Sequence, residues 1–446
     1  MSEVVTRNPA TGRELLRYPA HDDAAVAALL GEVSAAARSW ADVELTDRLA
    51  LLRAVGKLLT ERRDEYAALI TAEMGKPLAE SLAEIDKCAW NCSVVADLAP
   101  GWLADKPLES GSSLSWVAYE PLGVIFAVMP WNFPFWQVLR FACAALSAGN
   151  AALLKHSPDV TGCALAIEQL FLDAGAPAGL FRSLVIEADR VPSVSARIVA
   201  DPRIAAVTLT GSERTGSAIA QAAGAALKKT VLELGGSDPF VVLADADITA
   251  AAAAAVRSRF GNAGQSCVAA KRFVVVDAVA DEFVAALLSE VAVLEIGPLA
   301  RADLRDTAVR QISESVAAGA SLLTGGNTGS GCRLEPTVLD HVTPGMAAFV
   351  EETFGPVAAV VRARDDEHAI ELANDTEFGL GCSVWGTQGH ALAVGKRIRS
   401  GALFVNAPVA SDPRLPFGGI GRSGYGRELS AEGVREFTNV RTVVIA

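Results

Sequence analysis

A thiol, a carboxylate and a carboxamide that could share one reaction stand in separate glycine- or proline-marked segments. Phe260-Gly261-Asn262-Ala263-Gly264-Gln265-Ser266-Cys267 places a cysteine after a glycine-containing turn. Backbone N–H groups exposed by such a turn can lower a thiol pKa and stabilise an oxyanion formed beside the sulfur. Taken alone, a cysteine is more often an inert, small core residue. A thiolate nucleophile needs a base, and none of His21, His156, His341, His368 and His390 stands in a recognisable motif. Glu233 is the other candidate, closing the apolar run Val231-Leu232 just before Gly235-Gly236. A poorly solvated carboxylate there would be pushed toward neutrality and could act as a base, while the plainer reading is a carboxylate at a domain hinge. In Met129-Pro130-Trp131-Asn132-Phe133-Pro134-Phe135-Trp136 the chain turns hard, and Pro134 suits a first helical position. Asn132 then either caps a helix or donates its amide to an oxyanion. Thr210-Gly211-Ser212-Glu213-Arg214-Thr215-Gly216 follows a strand and opens a helix. Gly211 would let a phosphate approach the helix N-terminus, although the segment does not match the G-x-G-x-x-G fingerprint.

The elements that must position these groups are legible as periodicity. Apolar residues recur at helical spacing from about Asp22 to Leu98, as in Leu49, Leu51, Leu52, Val55, Leu58 and Leu59. Ser115 to Tyr119 alternates between Gly111 and Pro121 and reads as a short strand outside the main core. Strands are expected at Val124 to Val128, Ala151 to Lys155, Ser183 to Ile186, Ala205 to Leu209 and Thr230 to Glu233, with helices from Pro134, through Ala164 to Leu172, near Val194 to Val199 and from Glu213. Strands separated by helices imply a parallel, doubly wound sheet that binds ligands at its carboxyl ends. A second series begins at Pro239 to Val242, with a helix through the run Ala250 to Ala255, a strand at Arg272 to Val276 and further alternation to Trp385. The tail, Phe437 to Ile445, alternates as a strand and can pair with the one around Val117, outside both series.

Composition narrows the field. The chain has 446 residues, 51 % of them hydrophobic and 20 % charged, which fits two or three well-packed domains rather than disorder. Its net charge of −13 repels a phosphate backbone and excludes general nucleic-acid or anionic-membrane binding. The stretch Pro121 to Leu139 carries no charge, yet Pro130 and Pro134 would break a spanning helix inside lipid, so a membrane span is rejected. Seven scattered cysteines do not form a disulfide framework, and none pairs with a histidine at zinc-site spacing, so no metal is expected. The N-terminus lacks signal-peptide features, and with reduced cysteines the expectation is a cytoplasmic protein.

Together these segments resemble the aldehyde dehydrogenase superfamily along essentially the whole chain. Pro130-Trp131-Asn132-Phe133-Pro134, Gly211-Ser212 with Gly216, Glu233-Leu234-Gly235-Gly236, Gly264-Gln265-Ser266-Cys267, Glu352-Thr353-Phe354-Gly355-Pro356, and Pro416-Phe417-Gly418-Gly419 with Ser423-Gly424 occur in the family's order and spacing. The resemblance implies an α/β fold of two doubly wound α/β domains, a Rossmann-like cofactor domain (1–110 and 122–233) and a catalytic domain (234–424), with oligomerisation strands at 111–121 and 425–446 that build a homodimer or homotetramer. It implies that Cys267 attacks the aldehyde carbon, that Asn132 and the Cys267 N–H hold the oxyanion, and that Glu233 activates the water that hydrolyses the thioester. It assigns Glu352 to the nicotinamide ribose, Phe354 to the ring's surroundings, Lys155 to the adenosine ribose and Gly211-Ser212 to the pyrophosphate, with Trp131 and Leu234 also against the cofactor. Acylating relatives usually lack a carboxylate at the Glu233 position, so release of a free acid is expected.

Within the superfamily the chain is most similar to succinate semialdehyde dehydrogenases of the shorter bacterial type. If a helix starts near Pro134, Trp136 and Arg140 share one face with Phe133 at its mouth, an apolar tube ending in a guanidinium. In that group an Arg at the Arg140 position and a Ser at the Ser411 position bind the substrate's distal carboxylate, and Ser266 lies beside the substrate. Some longer members have a further Arg six residues before the nucleophile, where this chain has Gly261. Many NAD-preferring members carry Glu three residues after the lysine, where this chain has Pro158, preceded by Ser157 as a hydrogen-bond donor. NADP is therefore the expected cofactor and NAD the alternative. Oxidation of succinic semialdehyde to succinate is the expected reaction. A broad aliphatic or aromatic aldehyde dehydrogenase is the runner-up, and a thiol hydrolase or a catalytically silent relative the readings from other classes.

Overall fold

The computed structural model describes residues 2–446. A six-stranded sheet runs in the order Gly424–Tyr425, Lys229–Glu233, Ile204–Thr210, Val124–Met129, Ala151–His156, Phe181–Ser183. Only Gly424–Tyr425 is antiparallel to its neighbour. Val124–Met129 and Ala151–His156 are buried at every residue, as unbroken apolar strands covered on both faces must be. The chain moves outward from Val124–Met129 to Phe181–Ser183, then returns on the other side with Ile204–Thr210 and Lys229–Glu233. That reversal opens a crevice at the strands' carboxyl ends. Pro130-Trp131-Asn132 and Gly211-Ser212 directly follow the two strands flanking the reversal, which delivers both segments to the crevice.

A second sheet of seven strands has the order Ser321–Thr324, Thr337–Asp340, Val357–Ala363, Arg272–Val276, Pro239–Val242, Gly381–Trp385, Ala402–Val405. The alanine run lies in the helix Ile248–Phe260, started by Asp247, whose side chain accepts from the Ala250 N–H at 3.0 Å. Small side chains let this helix sit close on the sheet, and its C-terminal end leads into the nucleophile segment.

The helical region expected from Asp22 onward is four helices, Asp23–Ala41, Leu45–Glu61, Arg63–Met74 and Leu78–Trp102. A hairpin of Glu3–Arg7 and Glu14–Pro19 precedes them, turned by Asn8, whose Oδ1 accepts from the N–H groups of Ala10 and Thr11. The helix expected from Pro134 starts at Trp136, because Glu84 of Leu78–Trp102 accepts from the N–H groups of Phe135 and Trp136 at 2.8 and 3.0 Å. A carboxylate distant in sequence thus caps it. The uncharged stretch before Leu139 is a strand, a turn and the first turn of this helix, and no helix among the described residues is long and apolar enough to cross a membrane.

A third sheet pairs Thr438–Ile445 with Leu114–Pro121 in unbroken antiparallel register, with Lys106–Pro107 on the far side. The chain from residue 425 does not go straight to this sheet. Gly424–Tyr425 first covers the edge of Lys229–Glu233, whose backbone groups would otherwise be an open template, and the helix Ser430–Glu436 packs on Leu78–Trp102 and Trp136–Ser147. Asn150 ties the arrangement together. Its buried carboxamide accepts from the N–H groups of Leu122 and Gly123 and donates to the carbonyls of Ala145 and Phe437. Asn150→Ala strands four backbone groups, and with ~1–3 kcal/mol per unsatisfied buried group a loss of at least about 2 kcal/mol is expected. A lowered thermal midpoint checks this, and an unchanged midpoint contradicts it.

Candidate active site

Cys267 is half-buried in the wall of a cavity of about 590 Å³. The backbone that presents it has an uncommon shape, with Asn262 at φ 53°, Ala263 at φ 52° and Gly264 at φ 77°, three successive left-handed residues. Such a conformation costs free energy at each non-glycine residue and persists only when its surroundings hold it. The Asn262 N–H donates to Glu80 at 2.8 Å, and the Asn262 amide donates to the Asn132 carbonyl at 2.8 Å. The buried Arg259 donates to the Gly264 carbonyl at 2.6 Å, and Lys271 donates to the Cys267 carbonyl at 2.7 Å. Gly264 is required by space as well as angle, because an added Cβ would lie 2.2 Å from the Gly355 carbonyl oxygen.

Asn132 belongs to the same network. Its Nδ2 donates to the Gln265 carbonyl at 2.9 Å, and its Oδ1 accepts from Gln137 at 3.1 Å, which fixes the amide's orientation. An amide has two protons, so one donor remains for an oxyanion. Burial pushes the Cys267 thiol up to about 11, against the opposing pull of Arg140 and Lys271. The resting sulfur is therefore protonated at neutral pH and needs a base.

Glu233 ends its strand in register with Thr210, wholly enclosed, and neither carboxylate oxygen has a hydrogen-bond partner. Burial, and then the nearby Glu428, raise its pKa well above the usual carboxylate range, with Arg140 and Arg427 pulling the other way. An enclosed, unpartnered carboxyl group of raised pKa is a signature of a proton-transferring residue. Gly418 keeps that space open, since a Cβ there would stand 2.7 Å from Glu233 Oε1.

The guanidinium expected at the tube's end has a partner that the sequence did not indicate. Arg140 does line the cavity, but it forms a buried ion pair with Glu428, donates to Thr210 Oγ1 at 3.2 Å and stacks on Phe417. Glu428 is fully enclosed, and two buried charges in contact neutralise each other in a low-dielectric setting. Nothing in the sequence marked Glu428. Phe133, Trp136, Ser266 and Ser411 all line the cavity. The ring of Phe133 carries the ammonium of Lys76, itself paired with Glu84 at 2.5 Å, and Trp136 carries that of Lys87. The sequence reading did not single out Lys87, although Glu80, Glu84 and Lys87 recur at i, i+4 and i+7, a polar stripe along one face of the helix.

At the cofactor side, Ser212 caps the helix Glu213–Ala225, its hydroxyl accepting from the Thr215 N–H, and the helix N-terminus points its donors at the end of Ile204–Thr210. Lys155 is buried without a carboxylate partner among the described residues, and burial lowers it to about 8. A buried, unpaired ammonium fits an anionic or hydroxyl-rich ligand. The Ser157 hydroxyl donates to Asp159 at 2.9 Å rather than standing free, and Asp159 is also paired with Arg301 at 3.1 Å. Glu352 accepts from the Gly236 N–H at 3.1 Å and lies 3.5 Å from Lys271, while Phe354 meets Trp131 edge-on at 5.8 Å. Leu234, held by the Ser423 carbonyl at 3.0 Å, fills the space beside Gly216.

Residues 2–443 match the model of the aldehyde dehydrogenase family. The chain belongs to that family. It is 46 % identical, over 99 % of its length and 100 % of the relative's, to a probable NADP(+) succinate-semialdehyde dehydrogenase of Synechocystis. It is also 46 % identical to the NAD(P)+ succinate semialdehyde dehydrogenase Sad of Escherichia coli, covering 99 % of this chain and 98 % of that one. The crystal structure of a succinic semialdehyde dehydrogenase from Streptococcus pyogenes with NADP+ superposes with a TM-score of 0.95 at 37 % identity, covering 99 % of each chain. The two parallel sheets are thus the aldehyde dehydrogenase fold, as expected.

The nucleophile loop generates a direct test. Gly264→Ala forces the loop against the immovable Gly355 backbone, and a misplacement of about 1 Å costs on the order of 100-fold in rate. Steady-state kcat should fall by about that factor with the circular dichroism spectrum retained. A variant at full rate would show that the left-handed run does not position the sulfur.

Proposed function

We propose that this chain oxidises succinic semialdehyde to succinate, with NADP+ preferred and NAD+ as the alternative acceptor. The observation that carries the reading is one cavity with Cys267 in its wall, Phe133, Trp136 and Phe417 along it, and Ser411 among its polar groups. A short dicarbon spacer between an aldehyde and a carboxylate matches apolar walls between a nucleophile and polar donors. The names of the relatives point the same way.

In this reading Cys267 adds to the aldehyde carbon as Glu233 takes the thiol proton. The remaining N–H of Asn132 and the Cys267 backbone N–H receive the negative oxygen. A nicotinamide held beside Cys267 would supply the oxidising power as the hydride acceptor. Glu233, once it has released the thiol's proton to solvent, removes a proton from the water that opens the thioester and returns it to the departing Cys267 sulfur, which leaves the acid free to depart. Lys155, Ser157, Gly211 and Ser212 hold the adenosine and pyrophosphate end, and Trp131, Leu234, Glu352 and Phe354 the nicotinamide end. Arg301 is shared between Asp159 and Asp303, so the unpaired ammonium of Lys155 is the charge that would favour a 2′-phosphate. Each large sheet falls in one proposed domain, except that Gly424–Tyr425, at the catalytic domain's limit, pairs into the six-stranded sheet and Lys106–Pro107 joins the third; that third sheet, with Leu114, Val440, Val444 and Ile445 exposed, is the surface through which copies of the chain would associate.

The broader reading, a general aldehyde dehydrogenase, draws on Gly261, where an added side chain would meet open space in the cavity wall. Comparing kcat/KM for succinic semialdehyde, butanal and benzaldehyde with both cofactors separates the two. A preference for succinic semialdehyde and for NADP+ is expected; equal use of the three aldehydes supports the general enzyme, and a tenfold preference for NAD+ overturns the cofactor assignment. Glu233→Gln lacks the acceptor for both the thiol's and the water's proton, so its steady-state kcat should fall ~100-fold or more, and full turnover would remove Glu233 as the base. Because burial pushes the Cys267 thiol up to about 11 and raises Glu233 above the usual carboxylate range, the reactive deprotonated population grows as pH rises. Wild-type kcat/KM should therefore climb from about pH 6 to about pH 9. A flat profile would remove both groups from the rate-determining proton transfer.

A further inference from the structure

We propose that Lys87 supplies the uncompensated positive charge that receives the distal carboxylate of the substrate, with Ser411 as its partner; the assignment rests on the succinic semialdehyde reading. Lys87 lies on the helix Leu78–Trp102, a different element from those that carry Cys267, Arg140 and Ser411. It lines the same cavity as all three. Its Nζ donates to Ser411 Oγ at 2.7 Å and rests over the Trp136 ring at 4.4 Å. Those two contacts aim the ammonium at the polar end of an aromatic-walled channel.

Among the cations that line the cavity, Arg257 is exposed to solvent, which leaves the half-buried Lys87 as the one shielded cation still lacking an anion among the described residues. Arg140 is neutralised by Glu428. Of the carboxylates in the lining, Glu295 is exposed to solvent and the two less exposed ones are committed. Glu84 pairs with Lys76 and caps Phe135 and Trp136, and Glu80 accepts from the Asn262 N–H. Asp412, next to Ser411, is held by Arg414 at 2.6 Å. Lys87 has no ion pair among the described residues, and burial together with repulsion by Arg140 lowers its pKa to about 8. It stays mostly protonated at neutral pH, and a carboxylate entering the cavity would meet a strongly favourable partner. Arg140, already paired, offers donors without net charge, whereas Lys87 offers the charge itself. The division explains how a chain with Gly261 in the opposite wall retains a cation for its substrate.

The test measures the ratio of kcat/KM for succinic semialdehyde to that for butanal in the wild-type enzyme, in Lys87→Met and in Lys87→Gln. Lys87→Gln keeps a donor for Ser411 but no charge, and the ratio cancels any general loss of folded enzyme. A fall of at least tenfold in the ratio in both variants, arising in KM, is the expected result. A ratio that survives both substitutions, or falls in Lys87→Met alone, overturns the assignment while leaving the proposed substrate standing. A wild-type enzyme with no preference for succinic semialdehyde over butanal overturns the substrate reading, and this assignment with it.

Discussion

Three consecutive left-handed residues ahead of Cys267 form a backbone shape that this sequence would not adopt unaided, and much of the site exists to hold it. Asn132 comes from the six-stranded sheet, Arg259 from the alanine helix, Glu80 from the N-terminal helical layer and Lys271 from the entry to a central strand of the seven-stranded sheet. The sulfur is therefore placed by contacts that all parts of the chain must supply at once. Strain concentrated in one short loop is affordable because those contacts over-determine it.

Charge is managed in the same distributed way. Glu233 stays unpartnered because Gly418 leaves it room and Arg140 is diverted to Glu428. The two carboxyl groups around one guanidinium raise the proton affinity of the one that lacks a partner. The net charge of −13 poses a related problem, since both proposed ligands are anions. In the proposed reading capture falls to Lys155 and Lys87, two cations with no ion pair among the described residues, rather than to the protein's overall field.

The sequence made the parallel architecture legible because continuous apolar runs such as Val124–Met129 and Ala151–His156 can only be buried strands, and the residues that follow them fall at the carboxyl ends by topology. Cys267, Glu233 and Asn132 were legible from residue type next to glycine and proline. The Glu84 cap, the Arg140–Glu428 pair and Lys87 were not, because each depends on contacts between residues 51 to 324 positions apart. Local pattern shows that Arg140 follows an apolar run; only the fold shows which carboxylate meets it. The strand placed at Ser183 to Ile186 shifted to Phe181–Ser183 for a similar reason, since pairing with Ala152, Leu153 and Leu154 sets its limits.

The last thirty or so residues do more than close a surface. Phe417, Gly418 and Glu428 complete the surroundings of Arg140 and Glu233, Gly424–Tyr425 seals the edge beside Glu233, and the Phe437 carbonyl engages Asn150. Loss of that segment would leave Arg140 without its buried anion and uncover the strand edge next to Glu233, so the balance of charge around these two side chains is held by residues far from both in sequence.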